Sequence, residues 1–404
     1  MKAKTLTPEE VMRTSIVIDG HADTPQRCLD EKFDLGDALS GGNFNLDSAR
    51  GGGLGAEFFA IWVEPKRYQG QYARRTLELI DAVRVQAAKH ATQMELVTSA
   101  EGIERAHAQH RFSALLGIEG GHSIEDSLGL LRQYYALGAR YMTLTWNNSN
   151  GWADSSGDRD DPSVAHTKKG LSEFGEDVVR EMNRLGMMVD VSHVSDQTFF
   201  RALTVSRAPV IASHSNARAL CDSPRNLTDE MLRALAKSGG QESQGGVAMV
   251  NFFSAFVSQD YRDGFRKMQP EIERAVTDAA AKAQTKDKPF SYQDEAKIRK
   301  RLMDRVPRPP LSALIDHIDH IAQVAGMDHV GLGSDFDGVY GQMPEGMDSP
   351  ADLPKITAAL MERGYAAEDC RKILGGNLLR VFRAVEAVSQ ELQTENRARI
   401  AVRR

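Results

Sequence analysis

A histidine and an aspartate stand two positions apart near the start of the sequence, just after a short apolar run. In an extended segment, the side chains of His21 and Asp23 would point to the same side and could reach one metal ion. Neutral imidazole and carboxylate are ordinary ligands of zinc and similar ions. One His-x-Asp pair is common and carries little weight alone, so its meaning depends on where other such residues fall.

Four further polar side chains occupy the same kind of place, at or just past the end of an apolar run. They are Glu119, His193, His214 and Asp335. Any one of them alone would more often be structural, because a histidine at a strand end commonly bonds a loop carbonyl. With the first pair they make three histidines and three carboxylates, which is enough to hold two metal ions.

These residue types suggest hydrolysis by a metal-activated water. Glu119 suits a bridging position, because its two oxygens can serve ions about 3.5 to 4 Å apart. Two metals would share one hydroxide and lower its pKa toward ~7, which makes it nucleophilic at neutral pH. We predict that Asp335 stays outside the metal shell, takes a proton from the attacking water and gives it to the leaving amine.

The elements that position these residues are short apolar runs, each followed by a longer amphipathic stretch. The runs are 15–19, 56–63, 114–119, 141–145, 187–191, 210–213, 246–251 and 329–333. Continuous apolar runs of this length are typical of parallel strands buried on both faces. Helical patterns lie between them, for example 76–89 and 174–185, and a capping box at Thr98 and Glu101 predicts another helix start.

Repetition of the strand and helix pattern predicts an α/β fold, a closed (β/α)8 TIM barrel, rather than an open doubly wound sheet. Neither G-x-G-x-x-G nor the P-loop motif is present to favour the open fold. Barrel active sites lie at the C-terminal ends of the strands, where all the candidate residues fall. Residues 1–404 are therefore predicted to form one domain, with 385–404 as a C-terminal helix and tail.

One segment interrupts the repeat. Residues 258–310 are long, highly charged and largely helix-forming, and they follow the seventh strand on the active-site face. We interpret this segment as a solvated helical insertion, with a lid or an oligomer contact as the alternatives.

Composition excludes several classes of protein. The 404 residues are 41% hydrophobic, which is enough for a sizeable core, and no stretch reaches the ~18 to 20 apolar residues of a membrane span. A net charge of -6 does not indicate the basic surface that binding of nucleic acid or anionic lipid requires. Three widely spaced cysteines cannot form a disulfide framework. Because a capping box at residues 7–10 follows the first few residues without an apolar signal core, we expect a cytoplasmic protein, or an exported one whose signal has been removed.

Five motifs resemble those of the membrane (renal-type) dipeptidase family, a branch of the metal-dependent amidohydrolases. They are Asp19-Gly20-His21-Ala22-Asp23-Thr24, Gly117-Ile118-Glu119-Gly120, Asp190-Val191-Ser192-His193, Ser213-His214-Ser215 and Gly333-Ser334-Asp335-Phe336-Asp337-Gly338. The resemblance covers roughly residues 10–385 and leaves 258–310 outside it. It implies a binuclear zinc barrel that hydrolyses dipeptides, often with a D-residue at the C-terminal position, and frequently a homodimer.

The resemblance also implies roles for individual residues. The implied ligands are His21 and Asp23 on one zinc ion, His193 and His214 on the other, and Glu119 bridging the two, with Asp335 as the acid/base. Residues 221–226 match the family stretch whose arginine holds the substrate carboxylate, which assigns Arg225. A guanidinium fork binds a carboxylate bidentately, so the assignment is chemically sound. Without the resemblance, a surface ion pair would be the default interpretation of Arg225.

The chain departs from the family pattern after the fourth strand, where it reads Leu144-Thr145-Trp146-Asn147-Asn148. The family usually has a histidine in place of Trp146, which polarises the scissile carbonyl. An indole N–H donates one hydrogen bond but carries no positive charge. Loss of an oxyanion donor costs ~10²- to 10³-fold in rate. We therefore place Trp146 among the substrate-binding residues and expect slow dipeptidase activity, an altered substrate, or compensation by Asn147 or Asn148.

Two other functions remain open. An amidohydrolase acting on a non-dipeptide amide or lactone, such as an N-acyl amino acid, would explain Trp146, and Arg225 indicates that the substrate still carries a carboxylate. A metal-binding scaffold without catalysis is disfavoured by the complete ligand set and Asp335. The run 316–320, with two histidines and two aspartates, resembles a metal motif, but its amphipathic pattern predicts the solvent-facing side of a helix.

Overall fold

Parallel strands close into a barrel in the computed structural model of the chain, which describes residues 6–167, 169–240, 245–284 and 290–402. The strands are β1 Val17–Ala22, β2 Leu54–Trp62, β3 Met94–Leu96, β4 Phe112–Glu119, β5 Ala139–Thr143, β6 Met188–Asp190, β7 Ile211–Ala212, β8 Val247–Val250 and β9 Val330–Leu332. Their order is β2-β1-β9-β8-β7-β6-β5-β4, and parallel pairing of β2 with β4 closes the ring. The predicted (β/α)8 TIM barrel is confirmed.

The eight predicted apolar runs coincide with the eight barrel strands. Every residue of β4 is buried, as expected for a strand covered on both faces. The short strand β3 was not predicted. Strand β3 pairs with the first residues of β4, whereas β5 pairs with the later residues of β4. Strand β3 therefore extends the sheet without being part of the ring.

Helices surround the ring. The helices are α1 Pro8–Arg13, α2 Thr24–Asp30, α3 Leu46–Gly51, α4 Tyr72–Lys89, α5 Ala100–Ala108, α6 Leu128–Ala136, α7 Glu173–Leu185, α8 Asp196–Val205, α9 Asp229–Leu235, α10 Ser254–Val257, α11 Gln259–Gln284, α12 Tyr292–Met303, α13 Leu311–Ala325, α14 Pro354–Glu362, α15 Ala367–Arg371 and α16 Asn377–Val402. The capping box before α1 is confirmed, with Thr7 as N-cap. The one predicted at Thr98 is wrong by a residue, because Ser99 has the extended N-cap backbone and its hydroxyl accepts from the N–H of Gly102.

Buried side chains form two layers. Leu116 and Ile118 of β4 face outward and pack with the surrounding helices, whereas Leu115 faces the barrel interior. Phe382 of α16 belongs to the interior layer and contacts Phe58 of β2, with ring centroids 6.4 Å apart. The C-terminal helix therefore covers the end of the barrel where the strands begin, and the candidate residues lie at the opposite end.

The charged segment after β8 contains α11 and α12. Ion pairs connect α11 to α12 and to the residues just after it, with Arg299 to Glu273 at 3.0 Å and Arg305 to Glu271 at 2.7 Å. A small apolar cluster of its own lies beneath them, with Ile272 buried at its centre. The insertion therefore has a small apolar core in addition to its solvated, charged surface. Among the described residues, no helix combines the length and apolar character that crossing a bilayer requires.

Candidate metal centre

The predicted metal ligands and Asp335 all lie at the C-terminal end of the barrel. His21 lies in β1 and Glu119 ends β4, while His193, His214 and Asp335 follow β6, β7 and β9 within three residues. All are buried or nearly so, with exposures of 8% or less. Because parallel strands bring their carboxyl ends to one edge, a barrel gathers residues that are far apart in sequence.

Glu119 lies at the centre of this cluster. Its Oε2 is 3.3 Å from His21 Nε2, and its Oε1 is 3.0 Å from His193 Nε2 and 3.7 Å from His214 Nε2. Asp23 Oδ2 is 3.7 Å from the same nitrogen of His21. One carboxylate oxygen therefore faces His21 and Asp23, and the other faces the two remaining histidines, which is the arrangement that a bridging ligand needs.

Hydrogen bonds fix the orientation of two histidine rings. His193 Nδ1 lies 3.0 Å from Asn147 Oδ1, which can only accept, so Nδ1 carries the proton. His214 Nδ1 lies 2.7 Å from Ser213 Oγ, whose own proton goes to Asp190 at 2.6 Å. Both Nε2 atoms therefore present lone pairs, and they face each other 3.0 Å apart. Burial lowers the pKa of His193 to about 3 and that of His214 well below the usual range, so both rings are neutral.

His21 is held in the same manner by a tyrosine. Tyr141 donates to the carbonyl of Gly20 at 3.2 Å and accepts from His21 Nδ1 at 2.8 Å, which leaves His21 Nε2 facing the carboxylates. That nitrogen is buried and has no hydrogen-bond partner. Burial lowers the pKa of His21, but Tyr141 and Glu119 raise it well above its usual value. The position therefore favours a cation, either a proton or a metal ion.

The pKa values of the three buried carboxyl groups are shifted in different directions. Burial opposes the charge of Glu119, yet His21 and His193 hold its pKa well below the usual range. Burial raises the pKa of Asp23 to about 8 and raises that of Asp335. Glu119 is therefore charged, and the other two are destabilised as anions unless positive charge lies close to them.

Asp335 lies beside Asp23 and is fixed from two directions. Its Oδ2 accepts from Asn251 Nδ2 at 2.8 Å, and its backbone N–H donates to the carbonyl of His21 at 2.9 Å. A Cβ at Gly338 would lie 2.2 Å from Asp23 Oδ2 and 2.3 Å from Asp335 Oδ1, so glycine is needed there. Ligand atoms of His21, Asp23 and Asp335 lie within 4.8 Å of one another.

Two of these residues have a strained backbone. His193 and Asp335 both have φ of 66°, in the left-handed region that residues with a side chain seldom adopt. Such outliers cluster at functional sites, where the surrounding structure holds them in place.

The donor set fits a pair of divalent metal ions. Imidazole nitrogens and carboxylate oxygens are the ligands that zinc takes in hydrolases. The facing Nε2 lone pairs of His193 and His214, with a charged carboxylate beside them, repel one another unless a cation lies between them.

Arg225 is placed beside the centre and is not part of a surface ion pair. It is 7% exposed, and it donates to Ser215 Oγ and to the carbonyl of His214, each at 3.3 Å. Its Nε is buried without a hydrogen-bond partner, and its guanidinium carbon lies 5.3 Å from the ring centroid of Phe256. Burial lowers the pKa of Arg225 to about 10. A buried guanidinium with an unused donor favours binding of an anion.

Trp146 lies next to the centre as well. Its ring centroid is 4.9 Å from that of Trp62 and 6.3 Å from that of His193. The carboxamide oxygen of Asn147, one of the two residues suggested as substitutes for the family histidine, bonds His193.

Sequence reasoning did not identify the residues that support the ligands: Tyr141, Asn147, Asp190, Ser213 and Asn251. Asp190 alone left a usable signal, since it is an acid within an otherwise apolar run. It is fully buried and accepts four hydrogen bonds, from Thr143, Ser192 and both the N–H and the hydroxyl of Ser213. A buried acid inside a strand indicates such a network.

The 316–320 run lies in α13, as predicted, but His317 does not face solvent. It is fully buried; its Nδ1 accepts from the N–H of Ala217 at 3.1 Å, and its Nε2 donates to the carbonyl of Val257 at 2.9 Å. His320 bonds Asp229 at 2.7 Å. These histidines are structural, because His317 satisfies backbone groups of Ala217 and Val257 and His320 pairs with the side chain of Asp229.

His317 should make stability depend on pH. Burial lowers its pKa from 6.5 to about 4, so the unfolded chain binds a proton there before the folded one does. Its contribution, about 3 kcal/mol, is present above pH ~6.5 and is lost as the pH falls toward ~4. The variant His317→Gln should be less stable at pH 7 and should lose less stability on acidification, as measured by thermal unfolding over this range. Parallel pH curves for the variant and the wild type would contradict this.

The chain is similar to known proteins over most of its length. A model of the membrane dipeptidase family (peptidase family M19) matches residues 7–396. Dipeptidase 3 of Homo sapiens is 34% identical over 394 residues, which are 96% of this chain and 69% of that protein. The crystal structure of the probable dipeptidase PvdM from Pseudomonas aeruginosa matches with a TM-score of 0.76 and 24% identity, over 94% of this chain and 98% of that one. A metallopeptidase from Rhodobacter sphaeroides, liganded with a phosphinate mimic of the dipeptide L-Ala-D-Ala, matches with a TM-score of 0.71 and 24% identity. The match covers 92% of this chain and 99% of that one. At this identity the two structures support the fold alone.

Proposed function

The chain belongs to the membrane dipeptidase family and is a metal-dependent dipeptidase, and on that premise we propose that it uses two zinc ions held around Glu119. His21 and Asp23 would hold one ion, His193 and His214 would hold the other, and Glu119 would serve both. One observation carries this proposal: the two oxygens of Glu119 face separate sets of donors, at 3.3 Å on one side and 3.0 Å on the other.

Different residues of the chain have separate roles in the proposed reaction. When bound, the zinc ions lower the pKa of a water and polarise the scissile carbonyl. Arg225 binds the C-terminal carboxylate and orients the peptide bond. Asp335 accepts a proton from the attacking water and passes it to the leaving amine, while Asn251 holds its carboxylate in position.

We also propose that the C-terminal residue is accepted in the D-configuration. Support comes from the metallopeptidase of the same fold that binds a phosphinate mimic of L-Ala-D-Ala. A second candidate substrate class is the N-acyl amino acids, which Trp146 favours because it replaces a histidine that would assist dipeptide cleavage.

A metal analysis combined with a substrate panel tests the proposal. Purified protein is assayed for bound zinc and for turnover of L,L-dipeptides, L,D-dipeptides, N-acyl amino acids and lactones. We expect about two zinc ions per chain and turnover of both dipeptide classes. Full metal with turnover of N-acyl amino acids alone would favour the second substrate class. Full metal with no turnover of any substrate would overturn the proposed mechanism.

Changing Arg225 to Met should chiefly weaken the binding of substrates that carry a free carboxylate. Charge-assisted bidentate hydrogen bonds contribute roughly 2 to 3 kcal/mol, so KM should rise about 30- to 150-fold with a smaller change in kcat. The matched comparison is a dipeptide with a C-terminal amide in place of the carboxylate. For this substrate, Arg225→Met should raise KM far less. Arg225→Lys keeps the positive charge but cannot form two parallel hydrogen bonds to the carboxylate. Its KM for carboxylate substrates should lie between those of the wild type and Arg225→Met. Equal losses on acid and amide would refute the assignment.

A further inference from the structure

Two tryptophans form an aromatic wall beside the candidate ligands, which we call the indole wall, Trp62 and Trp146. Trp62 ends β2 and is the register partner of Glu119, and Trp146 follows β5 by three residues. Their ring centroids are 4.9 Å apart at an interplanar angle of 51°. Trp62 is 7% exposed, whereas Trp146 is partly exposed. The partly exposed indole of Trp146 lies beside the candidate metal centre, with its ring centroid 6.3 Å from that of His193.

The strand order places this wall across the barrel from Arg225. Around the closed ring, β2 and β7 are four strands apart in either direction. Arg225 lies in the loop after β7, where it bonds Ser215 and the carbonyl of His214. A dipeptide with its carboxylate on Arg225 and its peptide bond at the metal centre must direct its remaining part away from β7. That part is the N-terminal residue, which therefore reaches the side of the mouth where β2, β4 and β5 end.

The chemistry of the wall indicates which residue fits there. The partly exposed indole of Trp146, backed by Trp62, offers a large apolar surface without formal charge. A glycine at the N-terminal position would leave that surface in water, whereas a leucine or phenylalanine would bury it.

We propose that Trp62 and Trp146 form the subsite for the N-terminal side chain and favour dipeptides whose first residue is large and apolar or aromatic. This inference rests on the proposed function, in that it takes the carboxylate to bind Arg225. Trp146 is the specificity-determining member, because Trp62 is nearly covered and supports it from behind.

The test compares kcat/KM for Gly-Ala, Leu-Ala and Phe-Ala in the wild type, Trp146→Ala and Trp146→Phe. We expect the wild type to prefer Phe-Ala over Gly-Ala by about tenfold or more. Trp146→Ala should abolish most of that preference, because kcat/KM for Phe-Ala should fall about tenfold more than kcat/KM for Gly-Ala. Trp146→Phe should restore most of it. The matched control is Phe200→Ala, which removes a 36% exposed aromatic ring on the outer helix α8 and should leave the preference unchanged.

A second substrate series separates the two ends of the dipeptide. Ala-Gly, Ala-Leu and Ala-Phe vary only the C-terminal side chain, and their ranking should not change in Trp146→Ala. If that variant does not fold, Trp146→Leu replaces it with the same expected direction.

Three results would overturn the inference. They are a wild type without preference at the N-terminal position, an equal loss on Gly-Ala and Phe-Ala in Trp146→Ala, and a changed ranking in the C-terminal series alone. The second would mean that Trp146 acts on the amine or carbonyl that all dipeptides share. Failure of the proposed function is a separate result: the zinc-loaded wild type would cleave no dipeptide, and the inference would fall with it.

Discussion

Replacing Asp335 with Asn should leave the metal content unchanged and lower kcat by about 10²- to 10⁴-fold, the usual contribution of a general acid/base. The amide has nearly the same shape as the carboxylate and can still accept from Asn251, which lies 2.8 Å from Asp335 Oδ2. It cannot take up and release a proton in the range that catalysis uses. The measurements are kcat on a cleaved dipeptide and zinc per chain by elemental analysis.

Asp337 provides a matched control. It is buried two residues further on and also has a left-handed backbone, but it accepts from Thr24 Oγ1 at 2.7 Å and from the N–H of Asn43 at 2.6 Å. Asp337→Asn should lower thermal stability and change kcat only slightly. Wild-type turnover in Asp335→Asn would refute its role in proton transfer. Loss of zinc from the same variant would identify Asp335 as a metal ligand.

The second large effect is expected at the proposed bridge. Glu119→Gln keeps the size of the side chain but replaces a charged carboxylate, held in that form by His21 and His193, with a neutral amide. A neutral group cannot balance two divalent ions, so zinc binding should fall and kcat/KM should drop by roughly 10³-fold or more. Elemental analysis and the dipeptide assay measure both effects.

A second buried glutamate gives the comparison its control. Glu57 in β2 is fully buried, neither of its oxygens has a hydrogen-bond partner, and burial raises its pKa well above the usual range. Because burial favours the neutral form of Glu57, Glu57→Gln should disturb the charge of the barrel far less and should keep both zinc ions and most of the activity. If both substitutions removed zinc equally, burial of an acid in the barrel, and not the bridge at Glu119, would explain the loss.

The strands and the positions of the candidate ligands could be predicted because they depend on local pattern and one general rule. A buried parallel strand has to be apolar along its length, and a barrel brings all its strand ends to one mouth. Hence His21, Glu119 and His214, far apart in the sequence, could be assigned to one site before any coordinates were known. The short strand β3 was missed because three residues carry too little pattern.

The contacts that orient the ligands could not be predicted in the same way. Tyr141 reaches His21 because Gly117 leaves room for its ring: a Cβ there would lie 1.9 Å from the tyrosine. Such fits depend on packing between strands, which one sequence does not reveal. The default interpretation of Arg225 as a surface ion pair failed for the same reason, since its burial follows from how the loop after β7 folds over Phe256.

The most direct test is a crystal structure of the zinc-loaded protein with anomalous data collected at the zinc absorption edge. We expect two anomalous peaks, one between His21, Asp23 and Oε2 of Glu119, and one between His193, His214 and Oε1 of Glu119. A single peak, or two peaks that do not share Glu119, would contradict it.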